Sequence, residues 1–153
     1  MTEVARPLVV GIGSPHGDDQ AGWMLIERLS QQVSAETQLR IASVPHNLID
    51  WVDGCDALHI IDARDSGETV MRIELGDQDS AERIDVLTRC QSSHQFGIGK
   101  LIQLGQVLGK VPHRIVIWAI PGKNFGPGQG ISDLCRQQVE SCAELIVREL
   151  VDV

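Results

Sequence analysis

Apolar residues along this chain follow two rhythms: short continuous runs, and longer stretches that repeat every three to four positions. Leu8 to Ile12 is a run rich in β-branched residues that breaks at glycine. From about Asp19 to Val33 the pattern turns helical, with Ala21, Leu25, Leu29 and Val33 on one face. Leu39 to Val44 reads as a second strand stopped by Pro45, and Asn47 to Val52 as a short helix. Ala57-Leu58-His59-Ile60-Ile61 is a run suited to a strand buried on both faces, and it ends in Asp62. Val70 to Leu75 alternates apolar with polar, as an edge strand would, and Gly76 to Cys90 reads as a charged surface loop with a short helical turn. Ile98, Leu101, Ile102, Gly105 and Leu108 keep helical spacing, which puts His94 at a helix start. A last buried strand is expected over Arg114 to Ile120, then a loop from Pro121 to Gly130. Ser132 caps a terminal helix with apolar positions at Leu134, Cys135, Val139, Cys142, Leu145, Ile146 and Leu150.

Strands that alternate with helices predict an α/β three-layer sandwich. Its mostly parallel, twisted sheet should have about five strands, helices on both faces and one antiparallel edge strand. Right-handed crossovers would place the ends of the first strand and of the Asp62 strand on one rim. At 153 residues the chain has room for one well-buried core, so residues 1–153 are expected to form a single domain.

Charge and composition narrow the partners. Lys and Arg total 13 against 21 Asp and Glu, for a net charge of −8, and no basic cluster is present to follow a phosphate backbone, which argues against nucleic acid. The opening Met1-Thr2-Glu3 has no basic region, and no apolar stretch approaches the ~20 residues of a membrane span, so a cytoplasmic protein with no membrane partner is expected. Cys55, Cys90, Cys135 and Cys142 lack C-x-x-C spacing and read as small buried residues in a reducing compartment. The absence of Tyr argues against a stacking platform for bases or sugars.

The glycine turn after the first strand invites a dinucleotide reading, but Gly11-Ile12-Gly13-Ser14-Pro15-His16-Gly17 has one residue too many for G-x-G-x-x-G. Asp18 and Asp19 stand where helix N–H groups would meet a pyrophosphate, and they repel it. One of the two is explained as a helix cap; the second exceeds what capping needs. Asp62, at the mouth of a buried strand, is costly to desolvate unless something cationic faces it, although a plain turn role also fits. Asp19, Asp62 and His94 lie at element ends that can converge on one rim. Two carboxylates and one imidazole suit a divalent first-row metal, and the lack of a thiolate or second histidine argues against a structural zinc.

With these residues in place, the sequence closely resembles the hydrogenase maturation endopeptidases. The resemblance rests on Gly11-Ile12-Gly13-Ser14 with Asp18-Asp19 and Gly22, on Ile60-Ile61-Asp62-Ala63, and on Ser93-His94-Gln95 before Gly97, in the family's order and spacing. It implies a nickel-dependent cytosolic protease that trims the C-terminal extension from a [NiFe]-hydrogenase large-subunit precursor once nickel is inserted. The family's metal-contacting residues fall on Asp19, Asp62 and His94. The nickel would be carried by the substrate, with no permanent metal and no organic cofactor in the enzyme. Asp18 is then the candidate general base, and Gly122 to Gly130 is either a substrate-contacting loop or a surface connection. Two positions depart from the family pattern: Ser14, where Asn is common, and Gln20, where Gly is frequent. His16 is either an outer group of the site or an exposed turn residue. Two competing readings are a non-catalytic, nickel-dependent chaperone and a serine hydrolase using Ser14, His94 and Asp62. The latter lacks G-x-S-x-G, and Pro15 removes an N–H from any oxyanion hole.

Overall fold

A computed structural model describes residues 7–43, 55–76 and 114–151. The three continuous apolar runs become the centre of one sheet: β1 (Pro7–Ile12), β3 (Ala57–Arg64) and β5 (Arg114–Pro121). Beyond their first residues these strands are buried throughout, as central strands covered on both faces must be. The strand order is β2-β1-β3-β5-β4, with β2 (Gln38–Ala42) and β4 (Met71–Gly76) flanking the three. Pairing is parallel except between β4 and β5, so the expected antiparallel edge strand is present.

Two helices, α1 (Ala21–Leu29) and α2 (Asp133–Val151), pack against each other and against one face of the sheet. Val9, Ile61, Val116 and Trp118 from the strands meet Leu25, Leu29, Cys142 and Ile146 from the helices in a continuous core. On the opposite face Leu8, Val10, Ile12, Ile60 and Ile117 are also buried. The helices expected over 47–52 and from His94 to Leu108, and the loop over 77–90, lie outside the described residues.

Some boundaries differ from the sequence pattern. In place of a helix beginning at Asp19, a 3-10 turn (Gly17–Gln20) comes first, with the Asp19 N–H donating to the His16 carbonyl at 3.0 Å. α1 ends at Leu29 rather than Val33: the chain tightens there, with Gln32 N–H donating to the Leu29 carbonyl at 2.9 Å and the Ser30 hydroxyl to the Glu27 carbonyl at 2.6 Å. β3 does not stop at Ile61, because pairing with β5 continues through Asp62↔Ala119 to Arg64↔Pro121. Asp62 is therefore a strand residue.

The apolar run of β3 contains one polar residue, His59, which is buried and stacked beside Trp118. The Trp118 indole N–H donates to His59 Nδ1 at 3.0 Å, so the imidazole is held as a neutral acceptor. Arg72 lies over the Trp118 ring, 5.5 Å from its centroid, and closes the pair off. Arg72 and Arg114 in turn share Glu74 and Glu149 in a four-membered ion cluster. Burial pushes the His59 pKa down to about 4, with Arg114 and Arg72 assisting and Glu149 and Glu74 opposing. Below the ordinary value of 6.5 the unfolded chain takes up a proton that the folded one refuses, so this stability is complete above that pH and drains as pH falls toward 4. Between pH 7 and pH 5 the unfolding free energy should drop by about 2 kcal/mol more in the wild type than in His59→Asn. Urea titrations at the two pH values measure this, and equal slopes would remove His59 as the cause.

Helix α1 is seated on the sheet by glycine. A Cβ at Gly11 would stand 2.1 Å from the Gly22 carbonyl oxygen, and one at Gly22 would stand 2.5 Å from the carbonyl oxygen of Ile12 and 2.9 Å from that of Ile61. These neighbours are backbone atoms that cannot swing aside. Gly22→Ala is expected to destabilise the fold by about 2 kcal/mol or more, read as a lower urea midpoint, whereas a neutral effect would contradict the close seating.

Candidate active site

Parallel pairing of β1 with β3, in the register Val10↔Ile60 and Gly11↔Ile61, puts their C-terminal ends on the same rim. The chain leaves β1 for β2 on one side and later enters β3 on the other, which makes this rim the place where strand order reverses. Crevices at such points are where open α/β sheets bind ligands. The Gly17–Gln20 turn packs against β3 here. Its position is set by backbone: Ser14 N–H donates to the Asp19 carbonyl at 3.2 Å, and Gly13 N–H to the Ala42 carbonyl at 3.0 Å. A Cβ at Gly13 would stand only 2.4 Å from the Asp19 carbonyl oxygen. The expectation that Asp19 and Asp62 come from elements meeting on one rim matches this geometry. Asp19 is half-buried and Asp62 fully buried, with one Asp62 oxygen accepting its neighbour Ala63 N–H at 2.8 Å. His94 lies outside the described residues.

Asp18 does something the sequence pattern does not suggest. Its side chain leaves α1 alone, turns into the protein and is fully buried. Oδ2 accepts Lys123 N–H at 2.6 Å, Asn124 N–H at 3.0 Å and the Ser132 hydroxyl at 2.6 Å. Oδ1 accepts Ser132 N–H at 2.7 Å. Burial by itself would raise the carboxyl pKa, but hydrogen bonds from Asn124, the Ser132 hydroxyl, Lys123 and Ser132 N–H outweigh it and hold the group below the ordinary value. Asp18 is thus a charged carboxylate held by four donors, three on Oδ2 and one on Oδ1. Ser132 also keeps its expected cap role, its hydroxyl oxygen accepting Cys135 N–H at 3.2 Å.

Other residues fall into place around this frame. His16 is exposed and its side chain caps nothing, while Ser14 is half-buried. Cys135 and Cys142 are buried thiols, as expected of small core residues, and Cys55 is half-buried. Burial first, then the nearby Asp18 charge, push the Cys135 pKa up to about 12. Arg64 escaped the sequence reading because nothing in its local pattern sets it apart. Its guanidinium is buried, donates from Nη2 to the Thr69 carbonyl at 2.8 Å and packs over Gly67. The Arg64 Nε has no hydrogen-bond partner among the described residues. Among those same residues no group of three or more His, Cys, Asp or Glu side chains is placed to hold a metal ion.

Comparison with known proteins adds the family. No curated protein sequence matches the chain. The fold is shared with the hydrogenase maturating endopeptidase HybD from Escherichia coli, at TM-score 0.78 and 20% identity over 96% of this chain and 93% of that one. A second endopeptidase from Escherichia coli superposes at TM-score 0.77 and 20% identity, over 92% of this chain and 89% of that one. The [NiFe] hydrogenase maturation protease HybD from Thermococcus kodakarensis does so at 0.72 and 18%, over 94% and 97%. The family profile described as hydrogenase maturation protease matches residues 24–149, which is most of the chain, and the protein belongs to that family of endopeptidases.

Proposed function

We propose that Asp19, Asp62 and His94 form an incomplete coordination shell that engages nickel already resident in the substrate, the precursor of a [NiFe]-hydrogenase large subunit. The observation that carries this reading is the placement of Asp62, a buried carboxylate at the C-terminal rim of β3, against which the Asp19-bearing turn packs. Two carboxylates brought to one rim are hard oxygen donors, and with an imidazole they suit a divalent first-row ion presented by a docked protein. Three protein ligands leave positions open for donors that the substrate supplies. Cleavage is thereby conditional on metal insertion: without nickel in the precursor, the shell has nothing to hold. Hydrolysis then removes the C-terminal extension as water adds to the scissile carbonyl and the C–N bond breaks. No helix among the described residues is long and apolar enough to cross a membrane, which is compatible with processing in the cytoplasm.

Incubation with nickel-loaded and nickel-free precursor, followed by mass measurement, tests the reading. Loss of a C-terminal peptide from the loaded form alone is expected. A stable complex with unchanged mass would instead make the protein a nickel-dependent binding module. Asp19→Asn, Asp62→Asn and His94→Ala should each lower processing by about 100-fold or more with the fold retained, as for groups acting directly at the reacting centre. Ser14→Ala should still process. Full processing by His94→Ala would falsify the ligand set.

A further inference from the structure

Among the described residues the carboxylate of Asp18 is hydrogen-bonded by one other segment of the chain, and by both ends of it. Lys123 and Asn124 open the loop between β5 and α2, and Ser132 closes it; their three backbone N–H groups and the Ser132 hydroxyl converge on Asp18. The backbones interlock as well. Asp18 N–H donates to the Asn124 carbonyl at 2.6 Å, and Gly17, at φ 50, lies so close that a Cβ there would stand 2.1 Å from that same oxygen. Between its pinned ends the loop braces itself: Gly126 N–H donates to Gln129 Oε1 at 2.8 Å, and Asn124 Nδ2 to the Gly130 carbonyl at 3.2 Å. At its base Gly122 N–H donates to the Arg64 carbonyl at 2.9 Å, two residues beyond Asp62 on β3. One buried charge therefore ties together the Asp19 turn, the 122–132 loop and, through that loop, the end of the Asp62 strand.

We propose that Asp18 is a positioning residue for substrate engagement, which clamps the 122–132 loop and the Asp19 turn into one rigid body so that the rim meets the precursor preformed. This rests on the processing role proposed above. It separates the acidic pair into one residue that faces the substrate's metal and one that holds the frame. A general base needs a lone pair directed at water, whereas Asp18 is fully buried and its two oxygens accept four donors of its own chain. Ser132 belongs to the same device, because its hydroxyl acts on the loop by way of Asp18.

Single-turnover processing of nickel-loaded precursor, titrated with excess enzyme, separates half-saturation from limiting rate in Asp18→Asn, in Ser132→Ala and in the double variant. Half-saturation should rise about tenfold in Asp18→Asn, the equivalent of one charge-assisted hydrogen bond, and by less in Ser132→Ala. The limiting rate should stay within about threefold of the wild type. The double variant should be no worse than Asp18→Asn, since the serine works through the carboxylate. Amide hydrogen exchange at Lys123, Asn124 and Ser132 should quicken in both single variants, a readout that needs no activity. A limiting rate that collapses about 100-fold or more at unchanged half-saturation would make Asp18 a base and overturn the proposal. Unchanged exchange in Asp18→Asn would overturn the clamp itself. If the wild type neither binds nor cuts the precursor, the processing role fails, and the exchange data alone decide on the clamp.

Discussion

The backbones of β1 and α1 meet at Gly11 and Gly22 with no side chain between them, and the rest of the rim depends on that contact. Because a Cβ at Gly22 would also collide with Ile12 and Ile61 carbonyl oxygens, the start of the helix is held over the junction of β1 and β3. The turn that carries Asp18 and Asp19 is the chain's only route from the end of β1 to that seat. It must run close along the rim, and Gly13 and Gly17 let it do so where any side chain would strike backbone. Glycine here secures proximity between elements, and the acids are delivered as a consequence.

Two buried polar groups, one at the rim and one within the sheet, are handled in different ways. Asp18 keeps its charge by collecting N–H and hydroxyl donors from one loop. His59 instead gives up its charge, accepts the Trp118 N–H and is sealed by a cluster in which two arginines balance two glutamates. The second arrangement is neutral as a whole. The first is not, since donor dipoles stabilise the Asp18 carboxylate without cancelling its formal charge.

How much of this could be read from sequence follows from the range of each interaction. β1, β3 and β5 were legible because a strand covered on both faces needs an unbroken apolar run, a signal carried by neighbouring residues. The antiparallel edge was legible from the alternation leading into Leu75. The start of α1 was misplaced because an Asp before a helix usually caps it, whereas Asp18 spends its oxygens on residues more than a hundred positions away. The extent of β3 was missed for a related reason: Asp62 looks like a strand end until Ala119 is known to lie opposite. That the ends of β1 and β3 share a rim could be read from the expected crossover connections. The partners of Asp18 and Arg64 could not, because no local pattern encodes a loop folding back.

A strand, a glycine turn and a helix start form the architecture that greets phosphate in many α/β proteins, and here the same parts reject it. The helix N-terminus supplies partial positive charge, worth at most ~0.5 of an elementary charge, whereas Asp18 and Asp19 each bring a full negative one. With Asp19 and Asp62 in their proposed roles, the rim disfavours an anion and suits a divalent cation. Attraction alone would make a promiscuous metal trap. What guards against that is ligand number: with Asp19, Asp62 and His94 in their proposed roles, the enzyme offers too few donors to fill the coordination sphere of a first-row ion. A metal that arrives with further ligands from a folded substrate completes its sphere only when both proteins are present. In such a design a shell left incomplete and a frame held rigid serve the same end, because discrimination depends on meeting the substrate's metal without rearrangement.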